Sequence, residues 1–154
     1  MMHEHFMDQV LADSRAALAR GDWPVAALVV ENGHVIGRGR NEQVTRSDFT
    51  WHAETAAIRD ALRGERTALS GCTLYAAMEP CPMCAWVIRM AGIDRVVLAL
   101  RHSTLKRADL GSYDLESFAH MVGWRLEIVD GVREAEYLAI RAPWQAGRAA
   151  ARSG

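Results

Sequence analysis

Two short runs of this chain, well apart in sequence, have to meet at one point in space. His52-Ala53-Glu54 is the first and Pro80-Cys81-Pro82-Met83-Cys84 is the second. One imidazole and two thiolates form a zinc ligand set with the fourth position left open, the arrangement of a site that does chemistry. Glu54, close behind the histidine, is placed to handle protons rather than to bind metal. The surrounding pattern puts both runs at helix starts. Cys81 and Cys84 are three apart and share one helix face. Pro82 suits a first helical turn, and the free N–H groups of a helix start favour thiolate over thiol. His52 opens its own helix, where the local positive potential keeps an imidazole neutral and its lone pair available. A closed, purely structural site needs a fourth Cys or His. His102 and His120 are the candidates, and neither has the spacing of the motif.

The remaining pattern supplies a scaffold for that meeting. Residues 8–20 carry apolar positions at helical spacing and are stopped by Gly21 and Pro24. Residues 25–30, VAALVV, form a short apolar strand. The pair Asn32-Gly33 signals a tight turn, and 34–39 is the return strand. Gly37 and Gly39 in that strand permit a bulge or a close backbone approach. A polar loop, 40–51, leads to the His52 helix, which reaches 62. Residues 72–78 read as a buried central strand, and the helix from Pro82 runs to about residue 90. A strand over 95–100, a loop over 101–114, a short helix to 122, a strand over 125–129 and a helix from 132 complete the order. Strands alternating with helices predict a three-layer α/β/α domain of the α/β class. It spans residues 1–142, with 143–154 expected as a flexible tail.

Composition narrows the class. A chain of 154 residues, half of them hydrophobic, fits one domain with a good core. No apolar run approaches the ~20 residues needed to cross a bilayer, and the acidic N-terminus lacks a signal-peptide stretch. No membrane partner and a cytoplasmic location are therefore expected. The formal charge of −1 argues against a protein that lives on nucleic acid. Three cysteines do not make a disulfide framework, and Cys72 reads as a buried strand residue.

Trp51-His52-Ala53-Glu54, Thr73-Leu74-Tyr75, Glu79 through Cys84, and Arg95-Val96-Val97 together resemble the cytidine deaminase-like superfamily of zinc-dependent nucleobase and nucleoside deaminases. The ordered pair H-x-E and P-C-x-x-C is the signature of zinc deaminases acting on cytosine or adenine. The branch resembled includes guanine deaminases and tRNA adenosine deaminases. The resemblance implies a five-stranded mixed sheet flanked by helices, and a homodimer with active sites near the subunit interface. It further implies one Zn2+ per chain on His52, Cys81 and Cys84, and hydrolytic release of ammonia with Glu54 as proton shuttle. It places Asn41 where an asparagine hydrogen-bonds the base or nucleoside, and the N–H groups of Ala53 and Cys81 where they orient substrate or water. Trp51 and Phe49 depart from the alanine and proline frequent at these positions. The Trp51 indole either stacks on the substrate or packs beneath the site. Asp114 resembles an acidic residue of guanine deaminases, with an N-cap for the following helix as the alternative.

The substrate expected first is a small amino-purine, guanine above all, because charge is near neutral and the 109–114 loop is acidic. The alternatives are adenosine in tRNA, for which Arg101, Lys106, Arg107, Arg148 and Arg152 offer basic groups, and cytosine or cytidine. A protein that binds without catalysis is disfavoured by the presence of Glu54. Met83, Trp86, Val87 and Met90 form an apolar face pressed against the sheet or a partner subunit.

Overall fold

The computed structural model describes the backbone of residues 2–153 and the side chains of 2–151. Its elements are α1 (Met2–Ala19), β1 (Ala26–Glu31), β2 (His34–Arg40), α2 (Ala53–Ala61), β3 (Thr73–Met78), α3 (Pro82–Met90), β4 (Arg95–Leu100), α4 (Leu115–Met121), β5 (Glu127–Val129) and α5 (Glu134–Ser153), with a 3-10 turn at Ser103–Leu105. The five strands form one sheet in the order β2-β1-β3-β4-β5. β1 runs antiparallel to β2 and to β3, while β3, β4 and β5 are parallel. The expected mixed sheet is thus present. Helices α1 and α5 touch each other and cover one face, and α2, α3 and α4 follow one another over the other. Among the described residues no helix is long and apolar enough to cross a membrane.

The three inner strands are buried along almost their whole length, as their unbroken apolar runs require when both sheet faces are covered. β1 and β2 are joined by Asn32 and Gly33, whose φ angles of 49° and 79° are both positive. Positive φ at both central residues is what a type I′ hairpin turn requires, and Asn-Gly supplies it. Gly37 and Gly39 serve close approach. A Cβ on Gly39 would overlap the Ala53 carbonyl, and one on Gly37 would sit 2.7 Å from the Ala61 methyl. Helix α2 therefore lies directly against β2, and its first turn is fixed to the sheet. A register shift between Val29 and Val30 adds a bulge to the same hairpin.

Several boundaries differ from the expectations. α1 begins at Met2 instead of residue 8, because Phe6 and Met7 are buried and Phe6 packs 5.0 Å from the Tyr75 ring. The polar residues around them mask that contact in the sequence. β5 is shorter, starting at Glu127. The expected tail from residue 143 is instead a continuation of α5, with Pro143 inside the helix. A mid-helix proline removes one backbone hydrogen bond. Here the next turn is held by Trp144, whose ring lies 5.4 Å from that of Trp23. The Arg152 side chain lies outside the described residues.

Candidate active site

β3 ends at Met78, and Glu79 and Pro80 carry the chain to Cys81, the N-cap of α3, with Pro82 in the first turn. His52 is the N-cap of α2, in an extended conformation just outside the helix. The two helix starts face each other. His52 Nδ1 lies 3.5 Å from Cys81 Sγ and 3.4 Å from Cys84 Sγ. Zinc with Zn–S of about 2.3 Å and Zn–N of about 2.0 Å in tetrahedral geometry sets N and S about 3.5 Å apart. The spacing therefore fits a zinc ion bound through Nδ1 and both sulfurs. No other Cys, His, Asp or Glu joins these three among the described residues. His120 is exposed. His102 is buried, with Nδ1 3.5 Å from the Arg107 guanidinium and Nε2 without a partner. The ligand set is three protein groups, as an open site requires.

The electrostatics of the cluster follow from burial and close sulfur. The hydrogen bond from the Cys84 thiol, followed by that from His52, draws the Cys81 pKa down to about 4, against the effect of its burial. Cys84 is pushed well above a normal thiol by its bond to Cys81 and by desolvation. His52 is raised, first by its hydrogen bond to Cys81. The contact with the Cys81 sulfur thus opposes the helix-terminus potential at the imidazole. Glu54, in the first turn of α2, is buried. Its Oε2 accepts a hydrogen bond from the Cys84 thiol at 3.5 Å. Desolvation, and then the charge of Cys81, lifts its pKa to about 7. A carboxyl group poised there both takes and gives protons near neutral pH.

The cluster forms the floor of a cavity of about 830 Å³. Asn41 lines it, buried, with its amide donating to Gln43 Oε1 at 2.7 Å and its Oδ1 accepting the Gln43 N–H at 3.1 Å. Ala53 is buried beneath the first turn of α2, and its side chain is not part of the cavity wall. Glu79 ties the loop after β4 to the metal loop. One carboxylate oxygen accepts the His102 N–H at 3.0 Å and the other the Leu115 N–H at 2.8 Å. The Tyr113 hydroxyl donates to the Pro80 carbonyl at 2.6 Å.

Two expected substrate residues lie elsewhere. Trp51 is outside the cavity, in a groove over α2 and β2, with the Arg46 and Arg59 guanidinium groups 3.9 and 4.9 Å from its ring centre. Two arginines claim the indole that was considered for stacking on substrate. Asp114 is the N-cap of α4, accepts the Ser117 N–H at 2.7 Å and takes no part in the cavity wall. Asp109 does line the cavity, but it is paired with Arg107. The sequence reading named Arg148 only as a basic group for RNA and missed the rest of the opposite wall: Trp23, together with Arg141, Trp144 and Gln145 of α5. The signal was available. Tyr137, Arg141, Trp144 and Arg148 recur at helical spacing, and the proline between them argued for a helix end.

Comparison with known proteins agrees with this geometry. Residues 1–100 match the family described as the cytidine and deoxycytidylate deaminase zinc-binding region. A tRNA(Ile)-lysidine synthase of Deinococcus radiodurans is 39% identical over 132 residues, which make up 84% of this chain but only 22% of that protein. A tRNA-specific adenosine deaminase of Aquifex aeolicus is 35% identical over 100 residues, 64% of this chain and 66% of that protein. The chain therefore spans less than two thirds of the length of either relative. Among solved structures, a chain from work on A-to-I editing by tRNA:A34 deaminases at the wobble position superposes with a TM-score of 0.74 at 32% identity, over 88% of this chain and 98% of that one. A guanine deaminase from Nitrosomonas europaea superposes with a TM-score of 0.78 at 24% identity, over 93% and 84% of the two chains, a likeness of fold.

Proposed function

The chain belongs to the cytidine and deoxycytidylate deaminase zinc-binding family, and from that premise we propose that it is a zinc-dependent aminohydrolase whose substrate is an adenosine in tRNA. The carrying observation is the make-up of the cavity: a zinc-type floor beneath a wide wall of Trp23, Trp144, Arg107, Arg141 and Arg148. Single-stranded RNA loops are recognised by splaying out bases, stacking them on aromatic and guanidinium planes and holding their phosphates. The two relatives that carry tRNA in their names support the same reading. The amino-purine preference loses one of its supports, because Asp114 caps α4 and the Asp109 carboxylate in the cavity wall is paired with Arg107. A net charge of −1 also averages over the chain and hides the local arginines of the wall.

In the proposed reaction His52, Cys81 and Cys84 hold Zn2+. The ion supplies Lewis acidity that makes water a nucleophile at neutral pH. The target base leaves its stack and enters the cavity. Glu54 takes a proton from the attacking water through a carboxylate oxygen as the C6–O bond forms, and delivers it to N1. It then passes the second proton to the departing nitrogen as the C6–N bond breaks. Adenosine and water become inosine and ammonia. Glu79 and Tyr113 fix the loops that frame the site, and Asn41 with Gln43 presents amide groups to the base.

Ammonia release from an anticodon stem–loop RNA, adenosine, guanine and cytosine tests the assignment. The RNA is expected to give the highest kcat/KM. If guanine or cytosine wins, the tRNA reading falls and the deaminase chemistry remains. The protein is also proposed to be a homodimer through the face on which Met83, Trp86, Met90 and Met121 stand exposed, since large apolar groups clustered in water mark a contact surface. Light scattering is expected to give twice the 17.1 kDa chain mass, and a monomer mass overturns the proposal.

A further inference from the structure

The inward face of α5 carries Tyr137, Arg141, Trp144 and Arg148, each about one helical turn from the last. Arg141 is only 7% exposed, and its Nε has no hydrogen-bond partner. Its one side-chain hydrogen bond runs from Nη1 to the Tyr137 hydroxyl at 3.5 Å. Among the described residues no carboxylate pairs with Arg141 or with Arg148, whereas Arg101, Arg107 and Arg133 all have acidic partners. The arginines around Trp51 also share their groove with Asp13, Glu42 and Asp60.

Aromatic rings hold the two unanswered cations in place. Arg141 lies 5.0 Å from the Trp144 ring centre and 5.7 Å from that of Tyr137. Arg148 lies between Trp23 and Trp144, 4.6 and 5.0 Å from their centres. Cation–π contact offsets part of the burden of a desolvated guanidinium. It leaves the N–H edges of the plane unused, and those edges match phosphate oxygens in a fork. Both arginines line the same cavity as His52 and Glu54.

We propose that Arg141 and Arg148 form a phosphate subsite in the wall of the active-site cavity, so that the substrate is a nucleotide with its base on the zinc floor and a phosphate on α5. The inference rests on the deaminase reading of the same site. The phosphate is either a phosphodiester of RNA next to the target adenosine or the phosphomonoester of a free nucleotide, and the chemistry of recognition is the same.

The test compares kcat/KM for two pairs of substrates. One pair is an anticodon stem–loop RNA and the same RNA with neutral methylphosphonate linkages flanking the target. The other is adenosine 5′-monophosphate and adenosine. Wild type, Arg141→Gln and Arg148→Gln are assayed, with zinc content and circular dichroism as checks of folding, and calorimetric titration with inorganic phosphate gives a readout independent of turnover. Wild type is expected to prefer the charged member of at least one pair by roughly ten- to hundredfold, the range for hydrogen bonds to a charged group, mainly through KM. Each variant should shrink that preference and weaken phosphate binding. Arg148 is only half buried, so its variant decides the matter if Arg141→Gln fails to fold. A preference for the monophosphate with no turnover of RNA supports the subsite and overturns the tRNA reading. Phosphate binding that depends on the two arginines, without deamination of any substrate, does the same to the reaction. An undiminished preference in the folded variants, or no preference and no phosphate binding in wild type, overturns the subsite.

Discussion

The floor and the wall of the cavity are built on different physical principles. The floor sets His52, Glu54, Cys81 and Cys84 at the starts of two helices that are pressed on core strands. Short side chains there have little freedom, so backbone placement determines the chemistry. The wall is made of long side chains on α5 and on the loop between β4 and α4, held by ring stacking and ion pairs. Its shape depends on rotamers that a single substitution can reset. Under the proposed function, one side of the pocket governs whether a reaction occurs and the other governs what enters.

Substitutions sort by the side they strike. The largest effect is expected from His52→Ala or Cys84→Ala, which should remove the metal and abolish turnover of every substrate. Elemental analysis and ammonia assays check both, and an active protein lacking zinc would sink the mechanism. Next comes Glu54→Ala, which should keep its zinc and still lose at least the ~10²–10⁴-fold typical of a general acid–base group. Gly39→Val forces β2 and α2 apart, and overpacking of this kind destabilises by about 1–3 kcal/mol. Thermal unfolding reads it, and the zinc content should fall in parallel, because α2 carries His52. Glu79→Ala strips two buried N–H groups of their acceptor, at about 1–3 kcal/mol for each unmet donor. Its expected signature is lower stability with a raised KM. Trp51→Phe should change kcat/KM by no more than about twofold, in line with the ~0.5 kcal/mol of ordinary surface changes. A large loss of activity there would show that the boundary between floor and wall is drawn in the wrong place.

The unequal legibility of the two regions has the same origin. The floor could be read because its residues are close in sequence and belong to chemically rare types, and because Gly and Pro punctuate the elements around them. β4 and α3 fall at the expected residues for that reason. Asn32-Gly33 and the two strand glycines likewise carry their backbone demands in their own identity. The wall is assembled by tertiary contact. Trp23 and Trp144 meet across more than a hundred residues, and no local pattern announces that meeting. Pro143 spoke locally for a helix end, and packing overrode it. Asp114 illustrates a different ambiguity: a carboxylate before a helix suits both a cap and a ligand, and the structure shows it accepting the Ser117 N–H as a cap.

The two oxygens of Glu79 have a consequence for how such a protein diversifies. By gripping the N–H groups of His102 and Leu115, one side chain closes the intervening segment into a loop with both ends pinned to the metal-bearing turn. Lengthening a loop whose ends are already fixed adds only slowly to its entropic burden. Residues 103–112 can therefore be exchanged as a cassette, with new length and new side chains, while the Glu79 anchor, the Tyr113 bond to Pro80 and the Asp114 cap stay the same. Grafting the equivalent segment of a relative between His102 and Tyr113 is then a direct route to changing what the cavity admits without rebuilding its floor.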